Sequence, residues 1–252
     1  MKHFLAGLVL LSTSLSTYAD WGYSAPNGPA QWGNLPGYSL CSTGADQSPI
    51  AIESGEVAGI RNAFPDQSLQ LLAPQWMDSQ VEIVNNGHTI QMNYSAGSQI
   101  EFDAKDYELK QFHFHSPSEH LLNERQYPLE VHFVHRTASG DILVVGVFFQ
   151  EGQANPQLSK LWKNAPVIPE TTVQTAEVLN ALDLLPVSKE YFTYTGSLTT
   201  PPCSEGVRWI VMKEPMEASI DQLQFLQRTL GFTNNRPAQP LDGRLISIAV
   251  ED

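Results

Sequence analysis

The residues best suited to metal chemistry fall in one short segment, Glu108-Leu109-Lys110-Gln111-Phe112-His113-Phe114-His115. Residues two apart on a β-strand share a face, so His113 and His115 point the same way with Gln111 beside them, while Phe112 and Phe114 face the opposite side. Two imidazoles at this spacing can grip one metal ion. A third ligand must come from a neighbouring strand, and Glu130-Val131-His132-Phe133-Val134-His135-Arg136 offers two candidates. Glu130, His132 and Val134 share one face of that segment and His135 lies on the other, so only one of the two histidines can join the site. Three neutral imidazoles on a rigid sheet suit Zn²⁺ and leave a fourth position for water, the arrangement of a catalytic zinc centre rather than a structural one. Metal-bound histidines donate their second N–H to an orienting acceptor, and Gln111 and Glu130, each two residues before a proposed ligand, are placed near the metal shell. No His-Glu-x-x-His segment occurs, which argues against a zinc protease.

The elements that must position these side chains are mostly strands. Segments 80–84, 89–94, 108–115, 129–136, 142–149 and 207–213 alternate with strand period, and Asn85-Asn86-Gly87 supplies a hairpin-type turn between the first two. One helix is well marked: Ser219 with Gln222 forms a capping box, Ile220, Leu223 and Leu226 fall on one face, and Gly231 follows the end. A weaker helical pattern covers 178–185. Residues 21–44, rich in Gly, Pro and aromatics, read as an irregular arm. No repeat, low-complexity tract or linker divides the chain. The expectation is a mainly β (α+β) single domain on one large, mostly antiparallel sheet with few helices.

The 252 residues are 42% hydrophobic and 16% charged, as in a globular protein. A formal net charge of -13 with no basic cluster excludes nucleic acid and anionic membrane surfaces as partners. The first residues differ in kind: a basic start at Met1-Lys2-His3, an apolar run over 4–11, and Thr17-Tyr18-Ala19 at a signal-peptidase-like site. Segment 1–19 therefore reads as a signal peptide and 20–252 as the mature domain. The apolar run falls short of the ~20 residues that span a bilayer, and no cysteine near the cleavage point offers a lipid attachment, so no membrane anchor is expected. The destination is the periplasm or beyond. Cys41 and Cys203 form an even pair in an oxidising compartment, which predicts a disulfide between them.

Gln111-Phe112-His113-Phe114-His115, Ser118-Glu119-His120, Glu130-Val131-His132-Phe133-Val134-His135 and Ser197-Leu198-Thr199-Thr200-Pro201-Pro202 together resemble the alpha-class carbonic anhydrases, in their bacterial, exported branch. So do Gln47-Ser48-Pro49-Ile50, Asn86-Gly87-His88, Trp209-Ile210-Val211 and Arg236-Pro237-Ala238-Gln239-Pro240, and the matches run in order from Trp21 almost to the C-terminus. The resemblance implies a large twisted sheet with a conical active-site cleft, one zinc ion per chain, and reversible hydration of carbon dioxide to bicarbonate and a proton. It carries His113, His115 and His132 over as zinc ligands. Thr199 matches the residue that accepts a hydrogen bond from zinc hydroxide and passes its own proton to a carboxylate, matched by Glu119. Val134, Val144, Leu198, Val207 and Trp209 match the apolar pocket for carbon dioxide. His88 matches the proton shuttle, and Tyr23, Asn86, Gln91 and Thr200 match the polar groups that order the intervening waters. His120 and His135 are left as structural.

The sequence departs from animal members in three places. Segment 115–119 is shorter, Gln91 replaces a common Asn and needs a bulge or bend after His88, and Asn235 replaces a common Trp before Arg236. Bacterial relatives are often dimers, so the resemblance allows a homodimer. The rival of another class is a catalytically silent binding protein on the same fold; such relatives generally lack one of the zinc histidines, and all three are present here.

Overall fold

The computed structural model describes residues 21–57 and 71–250; the expected signal segment 1–19 lies outside them. In chain order the strands are β1 (Ala51–Ile52), β2 (Ser79–Asn85), β3 (Ile90–Asn93), β4 (Gln99–Phe102), β5 (Lys105–His115), β6 (Leu121–Leu122), β7 (Arg125–Gln126), β8 (Leu129–Arg136), β9 (Ile142–Glu151), β10 (Thr171–Leu179), β11 (Tyr191–Ser197), β12 (Glu205–Met212), β13 (Met216–Ala218) and β14 (Ser247–Ala249). The helices are α1 (Leu40–Thr43), α2 (Ser54–Val57), α3 (Pro156–Asn164) and α4 (Ile220–Leu230). One large sheet runs β10-β2-β3-β5-β8-β9-β12-β11-β14, with β4 on β5 and β13 on β9. It is antiparallel except where β9 pairs with β12 and β13.

Central strands β8 and β9 are buried on both faces, which is why both read as nearly unbroken apolar runs. On β9, Val145, Val147 and Phe149 join Phe112, Phe114 and Phe133 in the main core beneath the helices. Val144 and Phe148 face the other way, into a second core with Trp209 and Val211. A register shift between Leu109 and Gln111 inserts a bulge at Lys110. The bulge turns Leu109 into the main core while keeping Gln111, His113 and His115 on the opposite face.

Helix α4 carries the expected capping box, and Gly231 ends it at φ 79°, a left-handed conformation that favours glycine. Leu223 and Leu226 are buried, but Ile220, at the first turn, is largely exposed. The helical pattern at 178–185 is corrected: β10 continues to Leu179 and only Ala181–Leu184 turns, as a 3-10 helix. Pairing of β10 with β2 along the sheet edge overrides the weak local preference. Helix α3 escaped the sequence reading, although Asn155 accepts hydrogen bonds from the N–H groups of Gln157 and Leu158 and Pro156 opens the first turn. The arm is irregular as expected, apart from a 3-10 turn at Pro29–Asn34 and the short α1.

Candidate metal centre

His113 on β5 pairs directly with His132 on β8, and His115 lies two residues along β5 on the same face. One nitrogen from each ring lies within 4.8 Å of one from each of the others. The opposite nitrogens are committed. His113 Nδ1 lies 2.9 Å from Gln111 Oε1, His115 Nδ1 lies 2.7 Å from the Asn234 carbonyl oxygen, and His132 Nε2 lies 2.7 Å from Glu130 Oε1. Each acceptor fixes a tautomer, leaving Nε2 of His113, Nε2 of His115 and Nδ1 of His132 as lone pairs turned inward. His115 Nε2 is buried without a hydrogen-bond partner, a costly arrangement that a cation relieves. Burial lowers all three imidazole pKa values, that of His115 to about 4, with neighbouring imidazoles adding to the effect. The rings are therefore neutral, as ligands must be. The donor set fits Zn²⁺.

In a second acidic and imidazole cluster, His120, Glu130 and His132, the atoms that face one another are already paired. Glu130 Oε1 already accepts from His120 Nδ1 at 2.8 Å and from His132, and Oε2 accepts the backbone N–H groups of Glu119 and His120. Although burial pushes Glu130 up, His120 and His132 hold it well below the usual carboxylate range. His120 continues to the Tyr194 hydroxyl at 2.7 Å, so both its ring nitrogens are engaged within the protein. Gly146 stands across from His132 on β9, where a Cβ would come within 3.0 Å of Glu130 Oε1. His135 points into the main core, stacked on Trp76 at 5.4 Å.

Glu119 and Thr199 are both buried, and Glu119 lies beside the histidines, its Oε1 3.5 Å from His115 Nδ1 and its Oε2 3.9 Å from His132 Nδ1. Glu119 Oε1 accepts the backbone N–H of Arg236 at 2.8 Å. Burial raises the Glu119 pKa to about 7, opposed by His132, the Thr199 hydroxyl and the Arg236 N–H. Oε2 lacks a hydrogen bond of ordinary geometry, so the Thr199 hydroxyl is near enough to favour the ionised carboxyl without a fully formed bond. Thr199 lies in the loop after β11, which is closed by Leu198 N–H to Ser204 O at 2.9 Å, by Cys203 N–H to Thr200 O at 2.9 Å, and by the predicted Cys41–Cys203 disulfide.

Val144, Val207 and Trp209 are buried in one cluster with Val134 and Leu198 packed against it, so the five expected pocket residues form a continuous apolar wall. The wall touches the centre through Trp209, whose ring meets His132 edge-on at 4.9 Å. His88 sits in the turn between β2 and β3, which supplies the bend foreseen before Gln91. Its ring stacks on Trp21 at 4.0 Å, and Tyr23 lies 6.4 Å away. Asn86 holds that turn, accepting the N–H groups of His88 and Thr89 through Oδ1. Gln91 pairs opposite His113 and donates to Asn93 Oδ1 at 2.7 Å, while Thr200 is half-buried. Asn234 escaped the sequence reading: its carbonyl accepts from His115, and its side chain donates to the carbonyls of His88 and Phe114 and accepts Ser116 N–H.

Residues 27–249 match the family model described as eukaryotic-type carbonic anhydrase. The chain belongs to the alpha carbonic anhydrase family. A carbonic anhydrase of Pectobacterium atrosepticum is 43% identical over 236 residues, 93% of each chain. The solved alpha-carbonic anhydrase of Thermovibrio ammonificans, in complex with the inhibitor sulfanilamide, superimposes with a TM-score of 0.85 at 44% identity, over 90% of this chain and 98% of its own. Dioscorin DB3L of Dioscorea polystachya is 35% identical over 94% of this chain and 88% of its own. The carbonic anhydrase fold thus accounts for the large mixed sheet and its few short helices.

Proposed function

We propose that this chain is an exported zinc carbonic anhydrase that interconverts carbon dioxide and bicarbonate, with His113, His115 and His132 as metal ligands. The observation that carries this is the convergence of three neutral imidazoles against an apolar wall, with Glu119 and Thr199 beside them. A bound zinc ion would supply a strong nucleophile at neutral pH by acidifying water to a pKa of ~7, chemistry for which carbonic anhydrase is the standard case.

The chain's own residues do the rest. Val134, Val144, Leu198, Val207 and Trp209 receive an apolar substrate without offering it a competing hydrogen bond. Thr199, by donating its proton to Glu119, becomes an acceptor toward the nucleophile and fixes its orientation. Glu119 serves this only when ionised, which the Arg236 N–H and His132 favour against burial. His88, in the turn between β2 and β3, takes the released proton to buffer, with Tyr23, Asn86, Gln91 and Thr200 along the route. The disulfide supports export to an oxidising compartment, in keeping with the signal-like segment 1–19.

Stopped-flow hydration of carbon dioxide, run on zinc-loaded and chelated protein, tests the proposal. Activity lost on chelation and restored by zinc is the expected result. Zinc-loaded protein without activity would place the chain with silent binding relatives.

A further inference from the structure

Arg236 is a cation buried to 2% exposure whose direct acceptors are all neutral. Its Nη1 donates to Gln47 Oε1 at 2.9 Å and to the Ser48 carbonyl at 2.7 Å, and Nη2 donates to the Cys41 carbonyl at 2.7 Å. Its own backbone N–H reaches Glu119 Oε1 at 2.8 Å. The acceptors converge on one place. Gln47 Nε2 returns to the Cys203 carbonyl at 3.1 Å, and Cys203 is bonded to Cys41. Arg236 therefore closes a ring through Gln47, Cys203 and Cys41, while Glu119 hangs from its backbone and Thr199 stands four residues before Cys203. Ser48 locks the same arm to β11: its Oγ accepts Ser197 N–H at 3.0 Å, and a Cβ on Gly196 would strike that oxygen at 2.1 Å.

A fully buried guanidinium is expensive, and a neutral side chain could fill the volume at lower cost. Burial lowers its pKa and the charge of Glu119 raises it again, so its electrostatic counterpart is the carboxylate it positions. Three donors in a rigid planar fork fix the backbone of residue 236 far more tightly than a lysine point charge can.

We infer that Arg236 is a positioning residue for the reaction: its guanidinium pins the N-terminal arm and the 199–203 loop to the backbone N–H that holds Glu119, and so sets the spacing of Glu119 and Thr199. This rests on the proposed roles of those two residues. Glu119 Oε1 is taken by Arg236, which leaves Oε2 as the oxygen available to Thr199. A small shift of either segment uncouples the pair while leaving the three histidines, held by Gln111, Asn234 and Glu130, in place.

The test is a double-mutant cycle on the zinc-loaded enzyme, read as kcat/KM for carbon dioxide with zinc content measured on each sample. Arg236→Lys should retain zinc and lose about 10-fold or more in kcat/KM, the usual scale for groups that orient a metal site. In an Glu119→Gln background the same change should cost less than about 2-fold, because the pair acts as one unit. Gln47→Leu, which keeps the arginine but removes its link to Cys203, should show a smaller loss with the same non-additivity, and it carries the test if Arg236→Lys does not fold. Full activity in both variants, or losses that multiply independently with Glu119→Gln, would overturn the assignment. Glu119→Gln measured alone separates the two levels: if it is fully active, the proposed role of Glu119 falls first and the positioning role falls with it.

Discussion

The Asn234 carbonyl oxygen accepts a 2.7 Å hydrogen bond from Nδ1 of His115, across 119 positions of sequence. A carbonyl can only accept, so Nδ1 carries the proton and Nε2 keeps its lone pair for a metal. The Asn234 side chain holds that carbonyl in place through Ser116 N–H and the Phe114 and His88 carbonyls. Asn234→Ala should weaken zinc binding about 10–100-fold, measured by competition with a chelator. Unchanged affinity alongside a lowered melting temperature would reduce Asn234 to a loop staple.

On the proposed mechanism, proton export should be separable from chemistry at the metal. His88→Ala should slow turnover in weak buffer while leaving kcat/KM nearly unchanged, and imidazole in the buffer should restore much of the rate. Turnover indifferent to the substitution at low buffer would make His88 a turn residue stacked on Trp21 and nothing more.

Much of this was legible in the chain because strand parity is a local rule. His113, His115 and His132 share a face and His135 does not, as their spacing requires. The rule survived the bulge at Lys110 because both histidines of β5, His113 and His115, and their partners on β8 lie beyond it. What escaped were contacts with no local signature. Asn234 and Arg236 occupy an irregular segment, and their partners lie 117 to 195 positions away. Helix α3 is short, and 178–185 carries a helical pattern that sheet pairing overrides. The resemblance supplied Glu119, Thr199 and His88, whose positions no periodicity could have brought together.

His135 makes a pH prediction. Burial lowers its pKa to about 3, against about 6.5 in an unfolded chain. A histidine held neutral contributes stability that is fully present above about 6.5 and is lost as pH falls toward about 3, because only the unfolded state takes the proton. Within that window it should add about 1.4 kcal/mol per pH unit to the acid slope of unfolding free energy. His135→Phe should remove that increment in urea titrations between pH 4 and 6, on the order of one proton's worth. An unaltered slope would mean that His135 is already protonated in the fold.

The disulfide spans 162 positions and closes the loop that carries Thr199. Chain-entropy arguments give about 5 kcal/mol for closing so long a loop, an upper guide. Reduction should lower the melting temperature and, before that, loosen the arm and the 199–203 loop. The observable is activity falling under dithiothreitol at temperatures where far-UV circular dichroism is unchanged, with zinc content followed separately. Activity that persists until the sheet itself melts would detach the disulfide from the site.

Zinc content per chain in two single variants tests the central claim most directly. His132→Ala should lose stoichiometric zinc at micromolar metal and, with it, hydration of carbon dioxide, because two imidazoles hold zinc poorly. His135→Ala, altered on the other face of the same strand, should keep one zinc ion per chain and its activity. Metal retained by His132→Ala and lost by His135→Ala would contradict the assignment of the centre to His113, His115 and His132.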